Sequence, residues 1–379
     1  MQRIYLDNAA TTQIDPEVFD AMLPYMREFY GNPSSIHAFG RQTRAGIEKA
    51  RRTVAGLLNC MPGEIIFTSG GTEADNMALR CAVRDLGVKT IISSPIEHHA
   101  VELTVNDLDR CQQAKALMVR LNPDGSVDLA HLEELLKKND HVLVSLMHAN
   151  NEIGTRNDLV AIGELCRKHN AIFHSDTVQT MAHYRFNLQK LPIDLLTASA
   201  HKFHGPKGIG FLYMRSGVGV KAMIHGGSQE RNMRGGTENL HGIVGLAKAM
   251  EIAYRDLEEH ERHIRKLKQH MMDRLIEEIP GIEINGDRSD DSLYTVLSVR
   301  FPDDGRSEML LYNLDIEGIA CSGGSACSSG SNKGSHVLAA LYPEMKGASI
   351  RFSFSRYNTI EEIDHTIEAL KRIFQLVVA

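Results

Sequence analysis

The chain has 379 residues, 42% of them hydrophobic and 24% charged, and 42 Lys and Arg against 48 Asp and Glu leave a formal net charge of −6. That length calls for a large layered domain with a smaller one attached, and the mild acidity gives no global attraction to nucleic-acid phosphates or to an anionic membrane. The start, MQRIYLDNAATT, has no basic region followed by an apolar stretch, and no apolar run is long enough to span a bilayer, so the expected location is the cytoplasm.

Short apolar runs alternate with helical patterns through the first two thirds of the chain, which predicts an α/β domain with a mainly parallel sheet. The predicted strands are Glu64 to Thr68, Thr90 to Ser94, His141 to Met147, Ala171 to Ser175, Leu195 to Ser199 and Gly210 to Met214. A long charged helix follows from Leu240 to Ile279 and ends at Pro280-Gly281. Tyr294 to Phe301 then reads as a strand, Ser307 to Asp315 as a helix and Ile350 to Ser355 as a strand. The expected division is a large domain over 15–259 and a small α+β domain built from 1–14 and 260–379.

Ligands in open α/β sheets collect at the carboxyl ends of the strands, where this sequence carries Thr72, His98, Asn151, Asp176 and Lys202. Ser69-Gly70-Gly71-Thr72 leads from a strand into a helical pattern. Such a turn lets backbone N–H groups and a helix N-terminus meet an anion, although a plain strand-to-helix connection has the same composition. It is neither a Walker loop nor a dinucleotide fingerprint. Asp176 ends a strand destined for burial and needs a cationic partner there; a protonated pyridine nitrogen would serve, and a helix N-cap is the plainer alternative. Lys202 follows another such strand. Burial of its amine is costly unless the group is paired, neutral or covalently linked, and a Schiff base with an aldehyde cofactor meets that condition. Snorkelling from a surface loop is the competing reading, and Lys207 is the rival lysine.

His98 can stack on a pyridine ring and move protons, while His99 reads as a bystander. The six cysteines, Cys60, Cys81, Cys111, Cys166, Cys321 and Cys327, form no C-x-x-C pair, which points away from a disulfide framework or a common zinc site. Cys327 stands in a Gly- and Ser-rich stretch suited to meeting a substrate and passing a sulfur atom on. Cys321 reads as packing. Arg351 and Arg356 lie on a strand; the first suits a carboxylate and the second a surface ion pair.

Taken together, YLDNAATT, GNPSSIH, FTSGGTEADNMAL, EHHAV, HANNEIG, HSDTVQT, SAHKFHGPKG, HGGSQERNMRGGTEN, SGSACSSGS and IRFSFSRYNT span nearly the whole chain. This set resembles the cysteine desulfurase family, within the fold-type I (aspartate aminotransferase-like) pyridoxal 5'-phosphate enzymes, and implies a seven-stranded sheet with helices on both faces. The resemblance implies that Lys202 carries the cofactor, Asp176 pairs its ring nitrogen, His98 stacks on the ring, and Asn151 and Gln179 contact the ring oxygen region. Gly71, Thr72, Ser199 and His201 would bind the phosphate, with Thr237 reaching the phosphate of a neighbouring subunit in a homodimer. Asn32 and Arg351 would hold the carboxylate of L-cysteine, and Cys327 would be the nucleophile.

The segment after Cys327 looks like the subgroup with a long catalytic loop, which supplies sulfur for iron-sulfur cluster assembly or tRNA thiolation. The chain ends at Ala379, short of the extension by which some members dock a cluster scaffold, so the sulfur-acceptor protein stays open. A selenocysteine lyase and an aminotransferase of the same fold are the alternatives, and a noncatalytic sulfur carrier or metal-binding protein is the alternative from another class. No resident metal is expected.

Overall fold

The structure is a computed structural model and describes residues 3–303, 305, 307, 309–323 and 334–375. β1 (Ile4–Tyr5) is followed by α1 (Pro16–Arg27), α2 (Ala38–Leu58) and β2 (Ile65–Thr68). Alternation then sets in, with α3 (Gly71–Asp85), β3 (Thr90–Ser93), α4 (His99–Arg110), β4 (Lys115–Met118), α5 (Leu129–Lys138), β5 (Val142–Ser145), α6 (Leu159–Lys168), β6 (Ile172–Asp176), β7 (Leu195–Ser199) and β8 (Gly210–Met214).

These strands form one seven-stranded sheet in the order β2-β8-β7-β6-β5-β3-β4. All neighbours run parallel except β8, which is antiparallel to β2 and to β7. Every residue of β2, β3, β5 and β7 is buried, as expected where helices cover both faces of a parallel sheet. The predicted α/β class and sheet are therefore present. β4, which was not expected, is the exposed edge strand: Lys-Ala-Leu-Met has neither the β-branching nor the burial of its neighbours.

After the single turn α7 (Gln229–Asn232) come α8 (Leu240–Arg255) and α9 (Leu257–Glu278), so the long helix expected over Leu240 to Ile279 is two helices. The break falls at Asp256 (φ −111, ψ 20), whose carboxylate receives Arg255. α8 buries Ile243, Leu246 and Met250 in the core beneath the large sheet, whereas α9 buries Ile264, Leu267, Met271 and Leu275 in a second core. A bend between them lets one segment serve both.

The second core also takes residues from β9 (Glu283–Ile284), β10 (Val296–Arg300), α10 (Leu310–Ile316), β11 (Ile319–Ala320), β12 (Ser349–Ser353) and α12 (Ile360–Gln375). Its antiparallel sheet has the order β12-β10-β9, and β1 pairs in parallel with β11, which ties the first residues of the chain to this end of the molecule. α11 (His336–Leu341) packs Val337 and Leu338 on Ile96 and Ile153. Among the described residues no helix is long and apolar enough to cross a membrane.

Candidate active site

The carboxyl ends of β2, β5, β6 and β7, with the loop after β3, open onto one cavity of about 220 Å³. Gly71, Thr72, His98, Asn151, Asp176, Gln179, Ser199, His201, Lys202 and Arg351 all line it. Its floor is built from extended β strands that end there, and its entrance to α3 depends on glycine. Gly70 has φ 154 and ψ −175, a conformation open essentially to glycine alone. A Cβ on Gly71 would stand 2.8 Å from Val178 Cγ2. The first-turn N–H groups of α3 lack helical acceptors and carry partial positive charge, so this corner suits an anion.

Lys202 donates its Nζ to the carbonyls of Ala9 and Ala10 at 2.6 and 2.8 Å, so the N-terminal segment holds the amine in the cavity. Lys207, the rival, is exposed and does not line it. Asp176 is buried, and its Oδ1 accepts the Val178 N–H at 2.8 Å. Burial first, and the neighbouring Asp75 second, push its pKa up to about 7, against the smaller opposing pull of Val178, His174 and Lys202. His98 accepts the Ala100 N–H on Nδ1, which leaves the ring proton on Nε2. Burial and the nearby Lys202 lower its pKa to about 4, so at neutral pH it is an uncharged, flat ring.

Gln179 donates to the Ala9 carbonyl at 3.0 Å, and His201 Nδ1 lies 3.1 Å from Thr11 Oγ1. Arg351 is 2% exposed. It donates to the Asn151 carbonyl (2.9 Å) and to Asp7 (2.8 Å), and its buried Nε has no hydrogen-bond partner among the described residues. Arg356 is not the surface pair expected. It meets Asp15 where both side chains are about nine-tenths covered, because Tyr357 and the N-terminal segment close over it.

Two of the expected residues lie elsewhere in this chain. Asn32 is exposed and caps its own turn by accepting the Ser34 N–H. Thr237 is exposed in a separate recess with Ser69 and Arg234. Cys327 lies outside the described residues. Cys321 packs against the second core, and burial pushes its thiol up to about 12, which fits its reading as packing.

Sequence reasoning did not single out Asp75 and Glu97. Asp75 is 1% exposed, and burial raises its pKa to about 7 against a Thr197 hydrogen bond. Glu97 is likewise buried and raised to about 8, although Met147 N–H and Ser94 Oγ donate to it. A signal for Asp75 exists: it shares the apolar face of α3 with Ala78, Leu79 and Ala82.

The aminotransferase class-V family model matches residues 4–366. A cysteine desulfurase IscS of Dictyoglomus turgidum is 42% identical, covering 99% of this chain and 95% of its own length. Another, from Methanosarcina thermophila, is 43% identical over 98% of this chain and 92% of its own length. A solved NifS-like protein superposes with a TM-score of 0.91 at 39% identity, covering 99% of this chain and 100% of its own. The chain belongs to the cysteine desulfurase family.

Cysteine desulfurases of this class depend on pyridoxal phosphate, and the residues present fit that group. The buried Asp176 carboxylate suits a protonated ring nitrogen, which would draw its pKa back down. The α3 N-terminus with Thr72, Ser199 and His201 suits the phosphate, and the neutral His98 ring suits the aromatic face.

Proposed function

We propose that this cysteine desulfurase converts L-cysteine to L-alanine and takes the sulfur onto Cys327. It would work as a homodimer in the cytoplasm and pass the sulfur to an acceptor protein for iron-sulfur cluster assembly or for tRNA or cofactor thiolation. The observation that carries this reading is that Lys202 and Asp176 share one cavity with the α3 N-terminus.

Lys202 would hold pyridoxal phosphate, which when bound would supply an electron sink for the substrate Cα. Asp176 would keep a proton on the ring nitrogen, and the α3 N-terminus would hold the phosphate. Arg351, with its spare Nε–H, orients the substrate carboxylate. The Lys202 amine would remove the Cα proton and later return one. The Cys327 thiolate then attacks the substrate sulfur: an S–S bond forms, the substrate Cβ–S bond breaks, and its electron pair stays on carbon and is protonated. The balance is L-cysteine and a thiol in, L-alanine and an enzyme persulfide out. The exposed recess around Thr237 supports its service to a partner subunit.

Three proteins test this. Wild type should release alanine from cysteine; Cys327→Ser should keep the cofactor's visible absorbance and release none; Lys202→Ala should lose the normal absorbance band. Alanine release by Cys327→Ser at the wild-type rate would remove Cys327 from the reaction, and keto-acid-dependent turnover that survives that change would turn the assignment toward an aminotransferase.

A further inference from the structure

Outside the cofactor cavity, two histidines and a glutamate converge where α4 meets α11. His99 Nδ1 lies 2.8 Å from Glu102 Oε2, and His336 Nε2 lies 3.9 Å from the same oxygen. The three ligating atoms all fall within 4.8 Å of one another, and the two imidazole centroids are 4.5 Å apart. We infer that His99, Glu102 and His336 form a Zn²⁺ site, with the remaining coordination positions open to solvent.

Two imidazole nitrogens and one carboxylate oxygen are a known zinc donor set, with Zn–N and Zn–O of about 2.0–2.2 Å; ligands at those lengths around a tetrahedral ion stand roughly 3.3–3.5 Å apart. The separations of 2.8 and 3.9 Å to the shared carboxylate oxygen bracket that value, and with all three ligand atoms within 4.8 Å of one another, side-chain adjustments without backbone movement seat the ion. The scaffold on either side is already fixed. His99 and Glu102 sit one turn apart on the first turns of α4, whose N-cap is His98. Ser335 caps α11 by accepting the Leu338 N–H and donates to Glu152, while Val337 and Leu338 pack on Ile96 and Ile153.

One contact must be exchanged: His336 Nε2 lies 2.9 Å from the Glu97 carbonyl, so it gives up that hydrogen bond, and its ring proton moves to Nδ1 when Nε2 binds the ion. All three side chains are between a fifth and a third exposed, which leaves an entry path. The ion would fasten α11 to the helix that His98 caps. No C-x-x-C or H-E-x-x-H spacing announces this set, because His336 comes from a part of the chain remote from His99 and Glu102.

The test uses the holoenzyme, treated with a chelator, dialysed, and equilibrated with Zn²⁺ while bound metal is counted by mass spectrometry. Wild type and Cys327→Ser should each bind one Zn²⁺ per chain with a raised melting temperature. His99→Ala and His336→Ala should each weaken binding at least tenfold and lose the thermal shift. Cofactor absorbance reports that each variant is folded, and His336→Gln serves if the alanine variant is not. X-ray absorption of the bound zinc should show nitrogen and oxygen neighbours. The inference is overturned if wild type binds no zinc, if both histidine variants bind it as wild type does, if Cys327→Ser abolishes binding, or if Mg²⁺ competes equally.

Discussion

Asp176 and Asp75 are two carboxylates of opposite fate on one buried patch. With His98 they form a group whose polar atoms lie within 4.8 Å of one another, and like charges so close do not both ionise readily. On the proposed reading a ring cation beside Asp176 would stabilise its charge, which would leave Asp75 as the member that stays protonated. Its nearest imidazole, His174 at 3.5 Å, is itself held neutral by burial, with a pKa down at about 4. Asp75→Asn therefore swaps one neutral group for another of similar shape, and its kcat should stay within a few-fold of wild type. Asp176→Asn should lower kcat by at least 10²-fold, since on the proposed reading it would remove the counter-charge of the ring. Steady-state rates with cofactor saturation decide, and an equal loss in both variants would mean that Asp75 carries the charge. Asp176 and Lys202 were legible because the first ends an apolar strand and the second stands three residues beyond another. For Asp75 the apolar face of α3 announced burial but not its role, because that depends on β6 and β7 lying beneath α3.

The turn α7 shows an element held against its own backbone preference. Glu230, Arg231 and Asn232 have φ of 44°, 56° and 64°, a left-handed run that costs roughly 1–2 kcal/mol per residue for L-amino acids other than glycine or asparagine. What offsets it is a buried clamp: Arg51 reaches both Glu230 carboxylate oxygens at 2.8 Å, the Phe67 N–H donates to the same carboxylate at 2.9 Å, and the two side chains are 3% and 2% exposed. Glu230→Gln removes the buried one of the two carboxylates that pair with Arg51, leaving Glu48 at 3.2 Å, and should cost about 1–3 kcal/mol, read as a lower urea midpoint, with faster hydrogen exchange across 224–239. Arg231→Gly should instead stabilise by roughly 0.5–1 kcal/mol, strain relief less the glycine's entropy, because its half-exposed pair with Glu48 contributes little. Neither the left-handed turn nor the clamp was visible in the sequence, since Gln-Glu-Arg-Asn has no glycine and Arg51 lies far away along the chain. The interior strands were legible from their apolar runs. The edge strand β4 and the break at Asp256 were not, because edge pairing and the direction of a helix after a capping residue are decided by neighbours rather than by local pattern.

Across the whole molecule, buried titrating groups of two kinds pull stability in opposite directions with pH. Burial lowers His148 and His204 to about 3 and His174 and His183 to about 4. In the unfolded chain these titrate near 6.5, so between about 4 and 6.5 the unfolded state binds more protons, and stability is gained as pH rises. Asp75, Glu97 and Asp176 are raised to about 7, 8 and 7. There the folded state binds more protons, and stability is lost as pH climbs from about 4 to 8. Below 6.5 the two sets oppose each other; above it the three carboxylates outweigh the single buried Lys268, lowered to about 8, so the cofactor-free protein should lose stability between pH 7 and 8. Glu97 isolates the effect because it lies outside the cavity lining and has the highest pKa of the three. Glu97→Gln keeps an acceptor for Met147 N–H and Ser94 Oγ but cannot ionise. Its urea midpoint relative to wild type should therefore rise from pH 5.5 to pH 8, by up to about 3 kcal/mol at roughly 1.4 kcal/mol per pH unit. A difference that stays constant over that range would mean that Glu97 is charged throughout, and that an uncounted cation compensates it.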